Sequence, residues 1–189
     1  MTATAAPESI TVARANAPHV AVIGAGLAGL VTALRLRRAG ARVTLVTKGV
    51  GGLQLGHGTI DLLGYDPERV TNPAKGIEAF AAKHPEHPYA KIGVEAVRSG
   101  VELLSEILGE KLVNGSADEN VLVPTAVGAA RPTAFIPESM KAGVLHGDAK
   151  MVIIGVAQYK DFHPSLIAQN LSLSLIHISE PRDQRGSRM

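Results

Sequence analysis

Gly24, Gly26 and Gly29 follow the apolar run Val20-Ala21-Val22-Ile23 with G-x-G-x-x-G spacing, the pattern with the clearest chemistry in this 189-residue chain. A buried strand running into such a turn and out into a helix forms a cradle for a pyrophosphate. Gly24 permits the tight turn, Gly26 lets the backbone approach the ligand, and Gly29 lets the helix pack closely on the strand. The helix N-terminus then offers unpaired N–H groups and about half a positive charge to the phosphates. Ala25, Leu27 and Ala28 lie inside the same loop and first turn and join the three glycines as cofactor-binding candidates.

The elements that must position this loop are legible on either side of it. Leu27, Leu30, Val31 and Leu34 stand at i, i+3, i+4 and i+7, a helical face. Arg37 and Arg38 supply cations at its end, and Gly40 is its C-terminal stop. Residues 42–47 alternate as a second strand, which completes the span of a βαβ unit. The end of that strand usually carries Asp or Glu, accepting hydrogen bonds from the adenosine ribose. Here Thr47 holds the place, followed by Lys48. A threonine offers one weaker hydrogen bond, so the adenosine half of FAD or NAD is held less firmly. Lys48 is open to two readings: a phosphate contact, compatible with NADP or a mononucleotide such as FMN, or a solvated strand end.

Residues 49–65 contain six glycines and cannot be helix or strand throughout. Backbone this bare suits close passage along something flat, such as a flavin ring, with a ligand-free loop as the plain alternative. Gly51, Gly52, His57, Gly58 and Thr59 are therefore further cofactor-binding candidates, and Ile60, Leu62 and Leu63 are expected to be partly buried. His57 faces either a flavin or substrate, or, as loop histidines commonly do, neither.

Composition narrows the function class. The chain has no cysteine, which excludes disulfides, thiolate catalysis and cysteine-bound metal. A net charge of +2 gives no argument for nucleic acid, and no stretch approaches the ~20 apolar residues of a membrane span. Residues 1–17 lack a basic start and an apolar run, so they are expected to be a disordered tail and not a secretion signal. The default compartment is cytoplasmic.

Farther along, Asn72-Pro73 predicts an N-cap and first turn for a helix to about Lys83. His84 and His87 fall in a proline-broken loop, which argues against a metal pair. Val94, Val97, Val101, Leu104 and Ile107 define one face of a longer helix closed by Gly109. Residues 111–115 and 120–124 are expected as short strands with a turn between them, and 128–137 as extended chain, in a small antiparallel insert over about 111–145. Arg131 in that stretch is read as a surface salt bridge in preference to an anion contact. Residues 150–156 are predicted to be a buried parallel strand, and Asp161 to cap a last helix through Leu166, Ile167 and Leu171. No Ser-His-Asp set or carboxylate pair emerges, so no catalytic residue and no metal ligand is assigned.

The chain resembles the B subunits of anaerobic glycerol-3-phosphate dehydrogenase. The resemblance rests on VIGAGLAGL at 22–30, LVTKG at 45–49, HGTIDLLGY at 57–65, HPY at 87–89, GAARPT at 128–133 and the block at 150–171. It implies an α/β, Rossmann-like FAD/NAD(P)-binding fold, a parallel sheet with flanking helices, present only in part over residues 18–171. It also implies a flavin, FMN in this family, with FAD as the alternative that the fold suggests. The implied role is electron transfer in a complex with two partners. One is the catalytic A subunit, and the other is the iron–sulfur C subunit, which anchors the complex to the membrane. That complex oxidises sn-glycerol 3-phosphate to dihydroxyacetone phosphate and passes electrons to quinone. Family members are about twice as long, so a C-terminally truncated and inactive piece is expected. LSLIHISEP at 173–181 is similar to a translated sequencing adaptor, so 172–189 is expected to be non-native. Two other readings stand beside this one: a stand-alone NAD(P)H-dependent flavin oxidoreductase, supported by Thr47-Lys48 alone, and a non-catalytic scaffold protein of the same fold.

Overall fold

The computed structural model describes residues 16–146 and 150–179. Most of the expected N-terminal tail and residues 180–189 of the expected non-native tail lie outside the described residues. The chain divides into two compact units, Met1–His57 and Gly58–Met189.

The first unit is a βαβ element. Strand β1 (His19–Ile23) pairs in parallel with β2 (Arg42–Val46), in register from His19 opposite Arg42 to Ile23 opposite Val46. Parallel neighbours need a crossover, and helix α1 (Leu27–Arg38) supplies it. The helix stops as its sequence directs. Gly40 takes φ +86°, its amide bonds the Arg37 carbonyl at 2.9 Å, and the Ala41 amide bonds Leu36 at 3.0 Å. That pair of bonds is a Schellman termination, which needs a left-handed residue and so favours glycine. Arg35, Arg37 and Arg38 in the last turn face the negative end of the helix dipole. Of the expected helix face, Val31 and Leu34 are half-buried, while Leu27 and Leu30 are exposed. Val22 and Ala41 are the buried apolar residues of this unit among the described residues.

In the second unit, α2 (Pro73–Lys83) begins as predicted: the Asn72 side chain accepts the Lys75 amide at 2.9 Å and Pro73 occupies the first turn. Ile77 on this helix is fully buried. Helix α3 (Pro88–Leu108) is capped by the His87 imidazole, whose Nδ1 accepts the Tyr89 amide at 3.1 Å. The rings of Phe80, His84, His87 and Tyr89 form a contiguous group: Phe80 lies 4.3 Å from His84 and 4.9 Å from His87, and His87 lies 5.0 Å from Tyr89, centroid to centroid. Partial burial pushes the Tyr89 phenol above its ordinary range. Gly93 interrupts α3 with φ 76°, ψ 160°, and Gly109 ends it at nearly the same angles, φ 75°, ψ 161°. That corner of backbone space is essentially reserved for glycine. The expected apolar face needs one correction: Ile107 is exposed, and Leu103 is buried together with Val101. Contacts on two sides of the helix, not one stripe, decide burial here.

Two small antiparallel ladders follow. Strand β3 (Asn114–Gly115) pairs with β6 (Phe135–Ile136), and β4 (Val121–Pro124) with β5 (Ala130–Thr133). The two short strands expected on either side of a turn thus take different partners, and the turn between them holds the bridge Ser116 to Glu119. One apolar cluster joins Val101, Val113, Ala117, Ala134 and Phe135, with Ile60 and Leu62 packed against it. A second joins Ala130, Leu145, Ile167 and Leu171, with Leu122, Ile153 and Phe162 beside it. Ile60, Leu62 and Leu63 are half-buried, as their apolar character indicates.

Residues 150–156 are not a strand. They have no ladder partner among the described residues, and Val152 and Ile154 are 85% and 79% exposed. Apolar composition does not make a strand without a neighbouring edge to bond to. The last helix, α4 (Pro164–Ser179), starts with proline in its first turn, so Asp161 lies before the helix and does not cap it. Among the described residues no helix is long and apolar enough to cross a membrane, and no three His, Asp or Glu side chains cluster as metal ligands would.

Candidate functional site

The first unit builds the loop from three glycines doing three different things. Gly24 has φ +105°, a left-handed turn that side chains rarely adopt, and its amide bonds the Val46 carbonyl at 2.8 Å, extending the ladder. Gly29 is fixed by contact: a Cβ there would lie 2.0 Å from the Gly24 carbonyl oxygen. Gly26 is fixed by neither. It is the N-cap of α1 in extended conformation, makes no side-chain capping bond, and a Cβ built on it meets nothing within 4 Å. The first intrahelical bond runs from the Leu30 amide to the Gly26 carbonyl at 3.0 Å. The preceding first-turn amides, those of Leu27, Ala28 and Gly29, lie where a helix leaves its donors without intrahelical partners. Open space at a helix N-terminus uncapped by any side chain fits the phosphate of a nucleotide-type cofactor.

Around the loop, Gly51 takes φ +70°, and a Cβ there would fall 2.5 Å from the Ala25 carbonyl oxygen and 2.8 Å from the Gly26 nitrogen. Gly51 therefore rests directly on the cradle. Gly52 opens a short 3-10 turn over Leu53–Leu55. Thr47 departs from expectation: its hydroxyl donates to the Gly49 carbonyl and accepts the Gly49 amide at 3.1 Å. Lys48 and His57 are exposed. The structure thus brings Gly24, Ala25, Gly26, Leu27, Ala28, Gly29 and Gly51 together within the first unit, with Thr47 one residue after Val46, which bonds Gly24.

Gly58 and Thr59 belong to the second unit. A Cβ on Gly58, φ +87°, would sit 3.4 Å from Pro137 Cγ. Thr59 Oγ1 accepts from Arg131 Nη2 at 2.9 Å, while Arg131 Nη1 donates to Asp61 Oδ2 at 2.8 Å. Arg131 thereby spans Ile60, whose amide bonds Phe135 at 3.0 Å. The salt bridge expected of Arg131 is present, but its partner lies 70 residues away in sequence, and no spacing rule could have named it.

A further ion pair is bidentate. Arg98 holds Asp118 through two hydrogen bonds of 2.8 and 2.6 Å. Those bonds keep the Asp118 carboxyl below the usual carboxylate range, with smaller support from Asn72 and Lys75 and some opposition from desolvation. A depressed native pKa contributes stability above the unfolded value of ~3.9 and loses it as pH falls through the folded value. Arg98→Gln is expected to raise the Asp118 titration midpoint toward the ordinary range, read by carboxyl-carbon NMR. An unmoved midpoint would show that the pair does not set it.

The sequence profile of the FAD binding domain family matches residues 19–183, most of the chain. The chain belongs to that family. Its cofactor is a flavin, in agreement with the open cradle at Gly26. Curated relatives agree with one another. The chain is 36% identical over 160 residues to the B subunit of anaerobic glycerol-3-phosphate dehydrogenase from Mannheimia succiniciproducens, covering 80% of this chain and 37% of that protein. The proteins of the same name from Yersinia enterocolitica and Actinobacillus succinogenes are 36% and 35% identical, over 80% and 82% of this chain and 38% and 37% of theirs. The chain thus spans under two fifths of the length of these relatives. No solved structure gives a significant match to it.

Proposed function

We propose that this chain is the flavin-binding portion of the B subunit of an anaerobic glycerol-3-phosphate dehydrogenase, acting in electron transfer and not in substrate oxidation. The observation that carries the reading is the cradle: Gly24 turned, Gly29 pressed on Gly24, and Gly26 open at an uncapped helix start. Gly24, Ala25, Gly26, Leu27, Ala28 and Gly29 hold the flavin phosphate through first-turn amides and the helix dipole. When bound, the isoalloxazine ring supplies redox chemistry that no side chain of this cysteine-free chain provides. The protein's share is to bind and orient that ring, and no side chain is assigned to the oxidation of substrate.

On this reading, partner A and C subunits complete a quinone-linked, membrane-associated complex that converts sn-glycerol 3-phosphate to dihydroxyacetone phosphate. The similarity to the named B subunits supports that setting. We assign the flavin as FMN because Thr47 places no acidic ribose acceptor at the end of β2 and its hydroxyl is bonded to Gly49. The family's own name favours FAD as the alternative. The purified protein, alone or with its native partners, is expected to be yellow, and chromatography of the released flavin distinguishes FMN from FAD. A colourless preparation that takes up neither flavin would sink the reading.

A further inference from the structure

The turn after β2 is held by a side chain. Thr47 stands where a dinucleotide site keeps its acidic ribose ligand, yet its hydroxyl is engaged with its own backbone. A hydroxyl has one proton and two lone pairs. The Thr47 proton goes to the Gly49 carbonyl, and one lone pair takes the Gly49 amide at 3.1 Å. Such a side-chain turn bends the chain sharply within two residues. Two residues later Gly51 lies against the peptide between Ala25 and Gly26, with no room for a Cβ. All of these residues lie in the first unit.

We propose that Thr47 is a positioning residue: by holding the turn at 48–49 it sets the Gly51 backbone against the Ala25–Gly26 peptide, and so fixes the amides that receive the flavin phosphate. The proposal rests on Gly24–Gly29 being the phosphate cradle. It differs from a direct role, in which the threonine hydroxyl touches the adenosine ribose. FMN and FAD separate the two roles, because both carry the phosphate next to the ribityl chain and only FAD carries adenosine.

The test measures FMN and FAD affinity of the flavin-depleted full chain by fluorescence quenching, for wild type, Thr47→Val, Thr47→Ser and Gly51→Ala. Thr47→Val is expected to weaken both flavins by the same factor, about tenfold for the loss of one turn-holding hydroxyl. Thr47→Ser restores both, because serine keeps the donor and acceptor. Gly51→Ala weakens both as well. Amide exchange at Gly49 in the flavin-free protein speeds up in Thr47→Val and stays slow in Thr47→Ser. Weakening of FAD alone by Thr47→Val would overturn the proposal in favour of ribose contact. Unchanged affinity for both flavins would overturn it too. A wild-type chain that binds neither flavin would remove the cradle itself, and the proposal with it.

Discussion

Gly26→Val is expected to leave the βαβ unit folded and to remove the proposed flavin binding, whereas Gly29→Ala is expected to remove both. The two glycines stand three residues apart, and their surroundings demand opposite outcomes. At Gly26 the backbone is extended, φ −73° and ψ 175°, a conformation that valine adopts readily. A Cβ there meets no protein atom within 4 Å, so a side chain at 26 grows into the open space that the proposed phosphate would use. The cost to folding is that of a poor N-cap, a few tenths to about 1 kcal/mol. The cost to binding is steric exclusion, expected to exceed roughly a hundredfold in affinity. At Gly29 the added Cβ falls 2.0 Å from the Gly24 carbonyl oxygen and 3.0 Å from its carbon. Both are backbone atoms of a turn at φ +105°, so neither can swing aside as a side chain would.

Relief at Gly29 requires α1 to lift from β1, and overpacking of this kind costs at least about 1–3 kcal/mol. The unit has little to offset it, since Val22 and Ala41 are its buried apolar residues among those described. Flavin absorbance reads the first property, and hydrogen exchange across the β1–β2 ladder reads the second. Retained flavin in Gly26→Val would show that the phosphate sits elsewhere. A protected ladder in Gly29→Ala would show that the close approach is not obligatory.

Phe135→Ala is expected to destabilise the second unit by about 3–5 kcal/mol, the usual cost of truncating a buried phenylalanine. Two circumstances place it in that range. The ring is only 4% exposed and packs with Val101, Val113, Ala117 and Ala134, so its loss leaves a cavity in that apolar cluster. Its backbone is also the rail on which two other segments hang: Gly115 pairs with it on one side, and Ile60 exchanges bonds of 3.0 and 3.2 Å with it on the other. Loosening Phe135 therefore frees the segment from Thr59 to Asp61 that Arg131 grips. Against a total stability of roughly 5–15 kcal/mol, a large share is lost, and the melting temperature is expected to fall by about 10 °C. Phe135→Leu, which keeps most of the volume, is expected to cost under about 1.5 kcal/mol. Equal melting of the alanine and leucine variants would contradict the cavity argument.

Local rules carried the sequence reading as far as the interactions were local. Gly40, Asn72-Pro73 and Gly109 ended or started helices where their chemistry directs, because each acts within a turn of its own position. The glycine loop was legible for the same reason. The hydrogen bonds of Thr47 were not legible: the rule that names the ribose ligand looks across to a cofactor, while the hydroxyl bonds two residues along the chain. Arg131 with Asp61 and Thr59 was beyond any spacing argument, as was the Asn120 amide, which ties down the Leu63 and Val70 carbonyls at 2.9 and 2.8 Å. Residues 150–156 failed for a third reason. Hydropathy predicts that a segment wants an edge to pair with, but it cannot supply the edge.

The break at Gly93 has a mechanical meaning. An unbroken helix is a rod: a push or a twist at one end arrives at the other. Residues 88–108 look like one such rod in length, but the non-helical geometry at Gly93 makes them two pieces joined at an angle. The grouped rings of Phe80, His84, His87 and Tyr89 therefore stand on α2 and the short piece before residue 93, while Val101 and its apolar cluster belong to the longer piece after it.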